Sequence, residues 1–358
     1  MIKKDSRFKS TSKLVFAFLL AVSSVCTAQT DDPWADLPVS LNGELPDAAS
    51  TSLWKEGLEK VVWHNCISTS QRLRNSWDAS NFFDDPKVVQ LCVAIFRGDV
   101  EEMETLIEDG VDVNAKGDGG MNPLYWAFHL NTNPRPFGCL LKHGADPNVI
   151  VDMSGRDEIQ AVYPGYSVTN LSARGLYNRH FKTVFENGGD PNLMNECVFK
   201  DWQAQAFFEV WACSPDYEER LKLLVEKGAD LNVPSPRGVT FLIANSGSDD
   251  RRCGHALIAL NVGGADHRVA VKSTAGEYSG CYLRAIHQLV LGKEKIERDG
   301  CVDDFPKFLQ LVARLEELGE SMDEASKDLA RWKKWVAAGQ TDLIEQEYQS
   351  QKMDSENK

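Results

Sequence analysis

The sequence predicts an all-α fold of stacked helix pairs, on two observations. A short loop phrase returns five times, and the first four copies each follow an apolar helical patch. The phrases are EDGVDVNA at 108–115, KHGADPNV at 142–149, ENGGDPNL at 186–193, EKGADLNV at 226–233 and VGGADHRV at 262–269. The patches are Leu106 and Ile107, Leu140 and Leu141, Val184 and Phe185, and Leu223, Leu224 and Val225. Each phrase is a helix stop. A glycine enters the left-handed conformation that ends a helix, and the Asp and Asn after it can bond the turning backbone.

The phrase resembles the loop of the ankyrin repeat, a helix pair ending in Gly-Ala-Asp-x-Asn that restarts at Gly-x-Thr-Pro-Leu-His with a period near 33. Restarts stand at Gly120-Met-Asn-Pro-Leu-Tyr125, Gly165-Tyr-Ser-Val-Thr169 and Gly238-Val-Thr-Phe-Leu242. The stretch from 91 to 115 matches best, with Ala94 at a close helix contact, Gly98 between the helices, and Met103, Leu106 and Ile107 on the second helix's apolar face. The loop glycines Gly110, Gly144, Gly188, Gly228 and Gly264 are 34, 44, 40 and 36 residues apart. The excess of the second interval falls in one turn finger between Asn148 and Gly165, and that of the third lies before a helix expected near Trp202. The resemblance implies an α-solenoid with turn fingers.

The expected organisation is a signal peptide at 1–28, an extended linker at 29–50, an N-terminal helical cap at 51–88 with a helix over Leu53–Leu73, and five degenerate repeats over 89–269. Degenerate helix pairs follow at 270–348, read as Tyr282–Leu291 with Phe305–Leu318 and Ala325–Ala338 with Asp342–Tyr348, and then a polar tail at 349–358. Lys3, Lys4, Arg7, Lys9 and Lys13 precede the apolar run Leu14–Val22, and Cys26 and Ala28 supply the small residues of a cleavage site. The run is too short to span a bilayer. A periplasmic or secreted protein is therefore expected, not inserted in the membrane after cleavage; a lipoprotein would instead be anchored at Cys26.

The formal net charge is −14, and loss of the basic leader makes the mature chain more acidic still. So acidic a surface repels nucleic-acid phosphates and anionic membranes. Nine cysteines, one of them in the leader, permit disulfides in an oxidising compartment but do not make a disulfide scaffold. Cys253 and Cys301, each placed between the helices of consecutive repeats, are the expected pair.

No CxxC, HExxH, GxSxG or Walker loop occurs. His64 with Cys66 and Cys253 with His255 have the spacing of soft metal ligands, but no third and fourth ligand accompanies them, so no metal or cofactor is expected. Cys92, Cys139 and Cys213 read as small hydrophobes on helix faces. The ankyrin resemblance implies a protein-binding module that uses finger tips and first-helix faces. Its partner would be another protein, and one form of such a module is an inhibitor or immunity-type partner of an exported protein. Aromatic and apolar side chains on those elements are the candidate contacts: Tyr125, Trp126, Met153, Tyr163, Tyr166, Trp202 and Trp211. The alternative is an enzyme whose site lies in the non-repeat N- or C-terminal helices.

The mature protein is expected to begin at Gln29. N-terminal sequencing of exported protein checks this, and a chain that keeps Met1 or starts at a lipidated Cys26 would contradict it.

Overall fold

The computed structural model describes residues 78–130, 134–152, 165–174, 178–197, 203–210, 216–274 and 276–356. The expected leader, linker and most of the N-terminal cap lie outside them. Among the described residues the chain is mostly helical, with thirteen α-helices and two strands of two residues each. It divides into two compact units, one of residues up to Gly189 with Cys213–Asp216, the other of Asp190–Ala212 with Tyr217–Lys358.

The first unit holds α1 (Pro86–Arg97), α2 (Val100–Glu108), α3 (Pro123–Leu130), α4 (Pro134–Lys142), α5 (Val168–Ala173) and α6 (Asn178–Glu186). Asp85 opens α1 by accepting the Lys87 N–H, with Pro86 in the first turn, and Gly98 closes it at φ 74°. Leu91, Cys92 and Ile95 on α1 and Met103 on α2 are fully buried. Each first helix packs on its own second helix and on the next first helix, and α2, α4 and α6 pack in succession.

The second unit holds α7 (Tyr217–Glu226), α8 (Phe241–Asn245), α9 (Asp250–Asn261), α10 (Ala285–Asp299), α11 (Pro306–Glu317), α12 (Met322–Ala337) and α13 (Thr341–Glu356). Strands β1 (Val271–Lys272) and β2 (Tyr282–Leu283) pair antiparallel ahead of α10. Its core runs from Leu242 through Leu289, Phe308 and Leu311 to Trp332 and Ile344.

All three restarts cap a helix by one device. The residue two after the glycine has a side-chain oxygen that accepts the N–H three positions on: Asn122 from Tyr125 at 2.8 Å, Ser167 from Asn170 at 3.1 Å, and Thr240 from Ile243 at 3.3 Å. Between stop and restart the chain turns back on itself, and a backbone bond across the base helps to close each finger. The pairs are Gly117 N–H to Met121 O, Val151 to Tyr166, Asn195 to Ala204, Ser235 to Val239 and Ser273 to Cys281.

Three sequence expectations change between the elements, and a fourth changes at the fifth loop. Trp202, where a helix was expected to begin, lies outside the described residues, and the described residues 203–210 that follow it hold no α-helix. After it, Asn195 and Ala206 are held by backbone bonds to Ala204 and Leu193, leaving one 3-10 turn at Ala206–Glu209. The helix expected from Tyr282 starts at Ala285, because Tyr282 and Leu283 are committed to β2. The tail expected beyond 348 continues α13 to Glu356, with Gln349 and Gln351 bonding Glu345 and Glu347 one turn back.

The fifth loop stops its helix one residue early. Gly110, Gly144, Gly188 and Gly228 have φ between 84° and 94°, whereas in the fifth loop Gly263, at 78°, takes the left-handed turn. A Cβ on Gly263 would meet open space, but one on Gly264 would lie 2.7 Å from Val225 Cγ2 and 2.9 Å from Leu231 Cδ1. The two glycines are needed for different reasons, backbone conformation and room. Gly263→Ala and Gly264→Ala should each lose on the order of 1 kcal/mol. Gly263→Asn should recover most of that loss, since Asn tolerates the left-handed region, while Gly264→Asn should be worse than Gly264→Ala. Thermal melting of the four variants checks the assignment.

Candidate protein-binding surface

The loops carry a regular polar network. In each, the Asp carboxylate accepts the N–H two residues on, as Asp112 does from Asn114 at 2.8 Å, Asp146 from Asn148 at 2.9 Å, and Asp230 from Asn232 at 3.0 Å. The loop Asn turns away from its own loop and spans to the next. Asn114 donates to Gly144 O at 2.8 Å and accepts from Asp146 N–H at 2.7 Å. Asn148 donates to Gly188 O at 2.8 Å. In the second unit Asn192 links in the same way to Gly228 and Asp230, and Asn232 to Gly264 and Asp266. The run of asparagines ends at Arg268, whose guanidinium folds back onto Asp266 at 2.9 Å and, through these bonds, holds that carboxyl below its usual range.

Adjacent fingers are also tied at their bases. Asp152 N–H donates to Gly119 O at 2.8 Å, and a Cβ on Gly120, itself at φ 76°, would come within 2.9 Å of Ile150 O.

Tyr125, Trp126 and Tyr166, expected as contact residues, are buried instead. Trp126 donates from Nε1 to Cys92 O at 3.1 Å and meets Phe82 edge to face. Tyr125 packs at 4.6 Å on the ring of His129, and Tyr166, fully buried, pairs with Val151 at the finger base and receives the Arg174 guanidinium at its hydroxyl. All three follow a restart glycine by one to six residues, the place where a first helix enters the core. Met153, Tyr163, Trp202 and Trp211 lie outside the described residues.

The apolar side chains that do reach solvent on these elements are others: Val93 at 37% and Phe96 at 41% on α1, and Val233 at 41% beside the fourth loop. A signal for the first two exists in the sequence. Helix α1, PKVVQLCVAIFR, has more apolar residues than one face can hold. Val88, Leu91, Cys92 and Ile95 turn inward, and Val89, Val93 and Phe96 make a second stripe at spacings of four and three.

Cys253 and Cys301 are not paired; both are free thiols. Cys253 is fully buried on α9 with Sγ against Gly247 O at 3.5 Å, and burial pushes its thiol up to about 11. Cys301 is exposed at the start of a 3-10 turn, with Sγ toward Asp303. The metal spacing of Cys253 with His255 has a packing explanation, since His255 is buried against the Tyr217 ring at 4.3 Å. His64, Cys66 and Cys213 lie outside the described residues. Cys92 is buried as expected; Cys139 is buried too, but stands beside Glu104 and His143.

A cleft of about 470 Å³ in the second unit opens between α8, α9 and α10, with Arg252 and Lys295 on its wall. Two of its other polar groups are occupied by helix ends: Ser246 Oγ donates to Leu242 O at 2.9 Å, and Asp249 caps α9 through the Arg252 N–H. Among the described residues no helix is long and apolar enough to cross a membrane.

His129, on α3, gives the first unit a pH dependence. Its burial depresses the imidazole to about 4 from an ordinary 6.5. The unfolded chain therefore binds this proton first as pH falls, and stability is lost from about pH 6.5 down through pH 4. The melting temperature should fall across that window, and His129→Gln should flatten the part of the slope due to this residue.

Compared with known proteins, the chain matches no family model and no curated protein.

Proposed function

We propose that this chain is an exported ankyrin-type repeat protein that binds another protein and performs no chemistry of its own. The observation that carries the reading is the loop network, in which the Asp of each phrase closes its own turn and the Asn joins the next. That division of labour gives a physical reason for the ankyrin-like phrase to recur, and turn fingers tied loop to loop within each unit are a surface suited to a protein partner. An inhibitor or immunity-type role toward an exported toxin or enzyme is one form this takes.

Contact is assigned to the residues that the packing leaves outside. On α1 these are Val93 and Phe96, set among the polar residues of a first helix as an apolar anchor with a polar rim. The finger between Val149 and Tyr166 is the second element. Its closure needs only the base at Val151 and Tyr166, so the twelve residues from 153 to 164 are surplus to the turn, and long surplus loops are commonly functional.

Two variants test the reading, each purified from the exported fraction and used with cross-linking and mass spectrometry to identify what it retains. Phe96→Asp, and replacement of 153–164 by a two-residue Asn-Gly turn that keeps Asp152 and Gly165, should both melt within about 0.5 kcal/mol of the parent chain. Each should lose a protein that the parent captures. A partner retained by both variants overturns the assignment.

A further inference from the structure

The second helices of the first two pairs bring three metal-binding side chains together. Cys139 lies in the last turn of α4 and His143 just beyond its end, four residues on, so both face the same side. Glu104 comes from α2, which packs on α4. One atom from each, a carboxylate oxygen, the thiol sulfur and a ring nitrogen, all lie within 4.8 Å of one another. Among the described residues, no hydrogen bond or ion pair engages these three side chains. Cys139 is buried, while Glu104 and His143 keep contact with solvent.

Without a cation the buried Cys139 thiol keeps its proton. Burial, and then the Glu104 carboxylate, push the Cys139 thiol up, and the Lys142 ammonium only partly opposes them. A dication inverts that balance, because it stabilises thiolate and carboxylate together. Thiolate, imidazole and carboxylate are the ligand types of zinc, whose bonds of about 2.0–2.3 Å put tetrahedral ligand atoms roughly 3.5 Å apart. Side-chain torsion of Glu104 and His143 by about 1 Å closes the difference, and neither residue is locked by a competing bond.

We propose that Glu104, Cys139 and His143 form a zinc site that staples the second helices of successive pairs, with water in the fourth position. On binding, the Cys139 S–H bond breaks, the sulfur electron pair makes the bond to zinc, and the proton leaves to bulk water. The site is independent of the protein-binding reading: it joins α2 and α4, whereas Val93 and Phe96 are on α1.

Cobalt(II) is the probe, added to the reduced full chain after chelation and then displaced by zinc. The expected result is one equivalent bound, with a thiolate-to-cobalt charge-transfer band in the near ultraviolet that zinc abolishes. Cys139→Ser should remove the band, and Glu104→Gln and His143→Gln should each weaken cobalt binding at least tenfold. Zinc should raise the melting temperature of the parent chain and leave that of His143→Gln unchanged. Since His143 contacts solvent, His143→Gln is expected to fold with metal absent, and its melting in chelator checks this if Cys139→Ser fails to fold. No band in the parent chain, a band that survives in Cys139→Ser, or cobalt affinity untouched in both other variants would overturn the site.

Discussion

The structure depends on one constraint: successive helix pairs must keep register while the residues between their helices vary in number. Helix packing alone does not impose this, because apolar faces slide. The loop asparagine does. Its amide offers one donor and one acceptor, and it meets a carbonyl and an N–H two residues apart in the next loop, as Asn114 meets Gly144 and Asp146. A shift of one residue would break both bonds. Intervals of 34 to 44 residues are tolerated because the added chain is placed in fingers or between helices, never across the Asn-to-loop link.

The fifth loop shows what replaces that link. Arg268 stands where Asn stood and bonds its own Asp266. The next connection is made by charge: Glu320, which follows the helix stop Gly319, is nearly buried between His267 at 2.9 Å and Arg284 at 2.9 Å. Beyond it, α13 is held on the fifth finger, with Tyr348 stacked on Tyr282 at 3.7 Å and Glu345 bonded to Lys272 and the Tyr282 hydroxyl. Those bonds draw the Glu345 carboxyl down to about 2. Trp332 and Arg331 on α12 bond Glu347 from the other side. Those contacts are why a segment polar by composition is helical to Glu356.

Most helices were legible because their signals are local. Capping oxygens, stop glycines and apolar periodicity each act within one or two turns, and Pro306–Glu317 falls within a residue of expectation. What was not legible depends on partners distant in sequence. The span of the loop asparagines is a bond over about thirty to forty residues. The early stop at Gly263 hides behind a second glycine whose role is to make room for Val225 and Leu231. The Glu104, Cys139 and His143 cluster joins two repeats, and Cys139 on its own reads as a small hydrophobe. Cys253 and Cys301 failed as a pair because Cys253 stands on α9 with its side chain drawn into the core, whereas Cys301 is exposed before a 3-10 turn.

The same contrast explains why the proposed contact residues could not be chosen by residue type. Aromatics just after a restart glycine, such as Tyr125 and Trp126, enter the stack where a first helix meets its predecessor, and the core needs their volume. Loop Asp and Asn are consumed by the register. Under the proposed protein-binding function, recognition falls to side chains that neither packing nor register employs, which are the second stripe of α1 and the finger residues 153–164. Such residues obey no rule of the fold, so a partner can select them freely, and for that reason the repeat pattern predicts where they lie but not which residues they are.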